Sequence, residues 1–527
     1  MTIMLLLARR RRGTLISWLL LLIALGGGTA YAYQNTYGTA GQRRTAVELA
    51  QQNHATTLLY GRLPDPGTPA QMFVWELGAI VTILTAVMAV LVAVSVTRAV
   101  EDDGSLELLR GCGIAPGRPL RGALTLLTGV AILLAAGCGV AVGVATGRVD
   151  GVTWPGALLF GLTVGLTFLL VAAIAVVVGQ IAPSAGQARV LGFAAVGLSF
   201  ALRAIADAQG AGALNWVSPL GLRATVQPFT ADRWWALAPP AAVAVLLAVL
   251  AVRLADRREF GAGLIRRRDR RDSRLTVRSP IGLAARLGRS TLLAWTIGVA
   301  AIGTLFSSMG SGTVRQSRDG DIGGFLGSQL GAGDPTAAYL AYSGTVVGIV
   351  VSAYAVLSVL ASARSEDRGL TDLILATGVR RWAPLAGQAL VTALGCGVIL
   401  LATGGLGALI TPAVIGGDDV ALRAFAYALG QWPAAVAAAG WAALMAGAGP
   451  KLAGLAWLPV LASAFLALLG TLLKVPQRVQ GLGFFRHVPD VAGRDPWNGA
   501  LLALIGLGVL LALLGALATT RRDIVAA

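Results

Sequence analysis

EDDGSLELLRGCGIAPGRPL at 101–120 and EDRGLTDLILATGVRRWAPL at 366–385 are one pattern written twice. Shifted by 265 positions, the two superimpose without a gap: Glu101/Glu366, Asp102/Asp367, Gly104/Gly369, Leu108/Leu373, Gly113/Gly378, Pro119/Pro384 and Leu120/Leu385 coincide, and Glu107 falls opposite Asp372. Each copy is a short charged island between two long apolar runs, which marks a membrane loop carrying a brief helix rather than a piece of a soluble domain. The rest of the chain reads as a means of holding these two loops at one face of a membrane.

Composition fixes the class. Hydrophobic residues make up 56% of the 527 positions and charged residues 13%, and apolar runs long enough to span a bilayer recur throughout. This excludes a soluble core and points to an all-α polytopic membrane protein. The net charge of +17 is carried by clusters that flank apolar runs, so the positive-inside rule accounts for it and nucleic-acid binding is not expected. Cys112, Cys138 and Cys396 have no metal-ligand spacing and imply neither a disulfide framework nor a zinc site.

Outward from the first island, Arg9–Arg12 precede an apolar run over 13–33, read as a first span with a cytoplasmic N-terminus. A polar outer stretch over 34–70 follows, then a span over 72–97 that delivers the first island to the cytoplasm. Further spans are expected over 120–145, 154–181, 187–206 and 235–254. From Arg253 to Arg289 run twelve arginines against four acids, a cytoplasmic linker. The plan then repeats, with spans over 291–309, 339–361, 385–409, 422–446, 452–473 and 501–519 and a cytoplasmic tail.

The duplication extends beyond the islands. Arg12-Gly-Thr-Leu-Ile-Ser-Trp18 matches Arg289-Ser-Thr-Leu-Leu-Ala-Trp295, and Arg257-Arg-Glu-Phe260 matches Arg521-Arg-Asp-Ile524. Six is even, so the halves are parallel repeats with pseudo-twofold symmetry: a first repeat over 1–255, an arginine-rich linker over 256–288 and a second repeat over 289–527. The first half is longer only outside, with 83 residues from Trp18 to Glu101 against 71 from Trp295 to Glu366.

The islands, with an acidic pair, a glycine, an acid-leucine step and a Pro-Leu exit, resemble the first cytoplasmic loop of ABC-2-type exporter permeases. The twelve-span form, with Trp216-Val-Ser-Pro-Leu-Gly221 and Pro228-Phe229 before Trp234-Trp235, resembles actinobacterial permeases for polyketide-antibiotic or tetronasin-type export. The resemblance implies a coupling helix in each island, docked on an ATPase subunit. It places the coupling role on Glu101, Asp102, Gly104, Glu107, Leu108 and Gly113, and on Glu366, Asp367, Gly369, Asp372, Leu373 and Gly378. A structural alternative is that Glu101 and Glu366 only cap helix ends. Around Phe484-Phe-Arg-His-Val-Pro489 the Trp and Ser-Pro-Leu-Gly elements are missing, so unequal outer gates are expected.

The two lysines, Lys451 and Lys474, follow no glycine-rich turn, so the chain has no Walker motif, and ATP and Mg would be held by a separate ATPase, most simply two copies of one subunit. This chain itself is expected to bind no cofactor and to catalyse nothing: no Ser/His/Asp set, paired-carboxylate site or metal cluster emerges. Two alternatives stay open, an ion-driven secondary transporter and a membrane scaffold or sensor coupled to an ATPase. Few ionisable groups lie within spans, Glu76 and Arg203 being the clearest, with Asp207 one turn after Arg203 as a local partner. A mostly apolar path for a hydrophobic or amphipathic compound, beside membrane lipid, is expected to involve Phe73, Glu76, Phe193, Phe200, Arg203, Tyr342, Tyr354 and Phe465. The expected setting is a bacterial plasma membrane.

Overall fold

A computed structural model describes residues 3–28, 31, 33–34, 39–52, 54–258, 277, 279–318, 334–367, 369–417, 419–469, 476–487 and 499–522. Most of the arginine-rich linker, and the side chains of Leu108 and Asp367, fall outside the described set. The described residues are helical with no strand, and they form two compact units, Met1–Arg271 and Asp272–Ala527.

The first unit runs α1 (Ile3–Gly28), α2 (Ala40–Gln52), α3 (His54–Tyr60), α4 (Pro69–Val96), α5 (Arg98–Asp102), α6 (Ser105–Gly111), α7 (Arg118–Gly143), α8 (Trp154–Ile181), α9 (Ala185–Gln209), α10 (Ala213–Val217), α11 (Leu222–Val226) and α12 (Ala238–Arg257). The start of α4 is set by a capping box: Thr68 Oγ1 accepts from the Gln71 amide while Gln71 Oε1 accepts from the Thr68 amide, with Pro69 in the first turn where a missing N–H costs nothing. α8 is the centre of this unit, packed against α4, α7, α9 and α12. Phe160 and Phe168 on α8 and Phe73 and Met88 on α4 are fully buried in its core.

The second unit runs α13 (Pro280–Arg318), α14 (Pro335–Asp367), α15 (Leu370–Leu375), α16 (Ala383–Ile415), α17 (Val420–Leu429), α18 (Trp432–Ala448), α19 (Leu458–Leu469), α20 (Gln477–Gln480) and α21 (Gly499–Arg521). The span expected over 422–446 is not one helix. It breaks at Gly430-Gln431, because Pro433 offers no N–H to a continuous ladder and therefore sits in the first turn of a new helix, α18. α18 and α21 make the closest helix pair of this unit. Gly440 and Gly447 lie against Gly508 and Gly515, where an added Cβ would stand 2.1 Å from the Gly508 and the Gly515 carbonyl oxygen respectively. Small residues admit this approach, which dispersion and backbone contact reward in a bilayer.

Nine helices among the described residues are long and apolar enough to cross a membrane, which makes the chain a multi-pass membrane protein. The other three expected spans correspond to α1, whose first half carries the Arg9–Arg12 cluster, to the 17-residue α18, and to the 12-residue α19, which follows a 3-10 stretch over Pro450–Trp457. Gly440→Val is expected to destabilise the second unit by about 1–3 kcal/mol through overpacking. Gly506→Ala on the same α21, where nothing lies within 4 Å of the new Cβ, should leave it unchanged or slightly stabler. Thermal unfolding of the purified protein in one detergent checks both.

Candidate functional site

At the island end of each unit an arginine just beyond the last helix grips the island's first glutamate. Arg258 donates both terminal guanidinium nitrogens to the two Glu101 oxygens, at 2.8 Å to Oε1 and in a closer contact to Oε2, while its Nε donates to Gln180 Oε1 at the end of α8 at 2.8 Å. In the second unit Arg522 donates to Glu366 Oε1 at 2.6 Å and Oε2 at 2.7 Å, and its Nε donates to the Gly447 carbonyl at the end of α18 at 2.8 Å. The pairs are 157 and 156 residues apart, and the arginines are the second members of the matched dipeptides Arg257-Arg258 and Arg521-Arg522. Bidentate geometry and burial make these strong charge-assisted bonds. Sequence reasoning noted both ends of the match but not that they meet.

The first unit adds partners. Arg98, fully buried, lies 3.1 Å from Glu101 and 3.2 Å from Asp102 and donates to the Pro183 carbonyl at 3.0 Å. Asp102 Oδ2 accepts from the Ala185 amide at 2.5 Å, so the acidic pair holds the start of α9. Arg10 of α1 reaches Asp103 at 2.8 Å and Ser105 at 3.0 Å. Burial alone would raise Asp103, but hydrogen bonds from Ser105 and the Arg10 guanidinium hold it below the ordinary carboxylate value. At the position equivalent to Arg98 the second unit has Ala363.

The paired glycines have a conformational cause. Gly104 and Gly369 have φ of 73° and 69°, and Gly113 and Gly378 have φ of 79° and 82°, the left-handed region in which a side chain is strained. They bracket α6 and α15. Glu107, Asp372, Leu370 and Leu373 on these short helices are exposed, whereas Glu101 and Glu366 are inside. Each island thus presents an outward helix on an inward anchor.

The far end of the first unit is also built by arginines. Arg203 donates to the Leu58 and Leu59 carbonyls at 2.5 and 2.7 Å, lies 3.9 Å from Asp207 and covers the Phe200 ring at 5.0 Å. Arg223 donates to the Val74 carbonyl at 3.1 Å and, closer still, to that of Tyr60; burial, with Arg203 nearby, pushes it down to about 9. Trp75 donates to the Gly61 carbonyl at 2.7 Å. A cavity of 280 Å³ lies among Arg62, Asp207, Asn215 and Arg223. Ser199 Oγ on α9 accepts from the Leu220 amide at 3.1 Å, and Ser463 Oγ on α19 accepts from the Phe484 amide at 3.0 Å, each over 21 residues. The 3-10 turn after the fifth span is therefore kept in both halves even where Ser-Pro-Leu-Gly is missing.

Within each unit the expected path residues do not share one environment. Phe73 is core, edge-on to Phe160 at 5.4 Å, and Glu76 accepts from Tyr33 at 2.9 Å. Tyr354 is buried against Trp295 at 5.7 Å, and Phe193 and Phe465 are exposed. Tyr342 lines a 420 Å³ cavity within the second unit. Among the described residues no His/Cys/Asp/Glu group could hold a metal ion. Glu366→Gln or Arg522→Gln alone strands one member of a buried pair and should cost about 3–5 kcal/mol. The double variant should lose clearly less than the sum of the two, read from unfolding midpoints of the chain without partners.

A family description, "Multidrug efflux system permease Rv1217c, C-terminal domain", matches residues 277–519. The multidrug efflux system permease protein Rv1217c of Mycobacterium tuberculosis is 33% identical over 523 residues, covering 98% of this chain and 93% of that protein. At this identity and coverage, the chain belongs to the family of multidrug efflux system permeases represented by Rv1217c.

Proposed function

We propose that this chain is the permease subunit of an ATP-driven exporter of the ABC-2 type, moving hydrophobic or amphipathic compounds such as antibiotics or drugs outward, with ATP hydrolysed on two copies of a separate ATPase. The observation that carries the reading is the pair of equivalent islands, each an exposed short helix anchored by a buried glutamate–arginine clasp, in a relative of a multidrug efflux permease. In this reading α1, α18 and α19 also cross the membrane beside the nine long apolar helices, and both termini and both islands are cytoplasmic. A polyketide or tetronasin-type substrate is the narrower form of the same proposal.

The mechanical argument follows from the contacts. An ATPase bound to α6 and α15 through Glu107, Asp372 and Leu373 pulls on helices whose inner ends are fixed to the second, fourth and sixth spans by the clasp. In the first unit the same island holds the start of α9, and α9 holds the outer stretch through Arg203. Motion at one face therefore reaches the other along a single rigid helix.

Charge reversal at both exposed acids, Glu107→Arg with Asp372→Arg, is expected to abolish stimulation of ATP hydrolysis by transported compounds while the chain folds as before. Co-purified ATPase activity in nanodiscs, with and without drug, reads this out; undiminished stimulation in the double variant would remove the islands from the coupling role. Among the described residues Glu101 holds two arginines and Glu366 one, so Glu101→Gln strands more buried charge and should impair transport more than Glu366→Gln. Equal defects in whole-cell efflux would contradict the asymmetry.

A further inference from the structure

The end of the first unit opposite its island holds more cation than anion. Arg203 and Arg223 spend their hydrogen bonds on neutral carbonyls, those of Leu58 and Leu59 for the one and of Val74 and Tyr60 for the other, which satisfies N–H groups without cancelling charge. Asp207 is the acid beside them. It lies 3.9 Å from Arg203 and is turned inward: its Oδ1 accepts from Asn215 at 2.9 Å, and its Oδ2 is buried beneath Gly61, where an added Cβ would stand 2.8 Å away. Arg62 is a third cation. Its Nε donates to the Asp207 carbonyl at 3.2 Å, and its two terminal nitrogens donate to no described group. Arg62, Asp207 and Arg223 line the 280 Å³ cavity, and the turn after α11 adds Gln227, Pro228 and Thr230. That turn is strained. Gln227, Phe229 and Asp232 have φ of 54°, 59° and 44°, a left-handed conformation that residues other than glycine keep only where the surroundings hold them, and such outliers gather at ligand sites. Asp232 is engaged within the turn, its Oδ1 accepting from the Phe229 amide at 2.8 Å.

We propose that this cavity binds the oxyanion of a small polar molecule, a carboxylate, sulfonate or phosphate, met by Arg62 and favoured by the excess of guanidinium over carboxylate around it. The open end of a guanidinium is a planar fork that matches two oxygens of such a group. Burial first, and then the like charge of Arg203, lower Arg223 to about 9, and a negative charge entering the cavity opposes both. The volume is slightly under the about 300–1,000 Å³ of drug-sized pockets. With guanidinium, amide and hydroxyl groups in the lining beside Trp75 and Pro228, it suits a compact anion rather than a long apolar chain. On the exporter reading this end is the outer one, so the oxyanion belongs to an acidic compound at the outer face or to an outer-leaflet lipid headgroup. The site and its test do not need that reading.

The test uses the full chain in phosphatidylcholine nanodiscs at low salt and equilibrium dialysis of radiolabelled glycerol 3-phosphate. Saturable binding is expected, displaced by unlabelled glycerol 3-phosphate and not by glycerol. Arg62→Gln should weaken it about tenfold or more, the loss of a charge-assisted pair. Arg233→Gln removes an exposed arginine of the same end that does not line the cavity, and should change affinity by less than about twofold. Gly212→Glu, at a lining position where an added Cβ meets nothing within 4 Å, keeps Arg62 and should weaken binding by putting a competing carboxylate in the cavity. No saturable binding to the unaltered chain, displacement by glycerol, or equal losses in Arg62→Gln and Arg233→Gln would overturn the proposal. Doping the nanodiscs with phosphatidylglycerol decides the source: displacement of the label assigns the site to a lipid headgroup, retention assigns it to a soluble anion, and both outcomes uphold the oxyanion site. Dialysis needs neither ATP nor a partner, so failure here leaves the exporter reading standing, and absent drug-stimulated ATPase activity leaves the site standing.

Discussion

A carboxylate buried at the end of a membrane helix persists only where a cation is brought to it, and the island end of each unit is arranged around meeting that condition. Glu101 closes the second span, Arg258 follows the sixth, and Gln180 ends the fourth; one ionic joint therefore ties three helix ends together. The second unit repeats the joint with Glu366 and Arg522 and substitutes a backbone carbonyl, that of Gly447, for the glutamine side chain. A free carbonyl at a helix C-terminus is already a poor fit for burial, so the guanidinium satisfies it as well as the glutamate. The exposed helices α6 and α15 each follow directly on such an anchored end.

The opposite end obeys a different constraint. Chain leaving the fifth span must turn back toward the sixth, and its first amides lack helical partners. Ser199 and Ser463 provide an acceptor for Leu220 and Phe484, which lets two dissimilar sequences make the same turn. Beyond this shared turn the first unit is tied further by Arg203, Arg223 and Trp75, which donate to peptide carbonyls.

Most of the fold was legible because bilayer spans and their charged flanks are written in composition, and the island glycines stood out because they repeat, though not for the left-handed turns they make. The clasp was half legible. Both Arg-Arg ends and both glutamates stood out as repeated, yet their contact spans more than 150 residues and leaves no local periodicity. The break at Gly430-Gln431 was written in Pro433 but hidden inside an uninterrupted apolar run. The roles of Ser199 and Ser463 were not legible, since a hydroxyl in an apolar stretch does not reveal that it caps a turn 21 residues on. An aromatic at helical spacing does not by itself mark a cavity wall, because core packing produces the same spacing, as buried Phe73 and Tyr354 illustrate.

Carrying both halves on one chain changes what substitution can do. In a homodimer each change is made twice, so a residue that fills one site fills its mate. A fused pair escapes this. Arg98 reinforces the clasp of the first unit, whereas the matching position of the second holds Ala363. A fused pair can therefore add a bond to one clasp without adding it to its mate, which a homodimer cannot do.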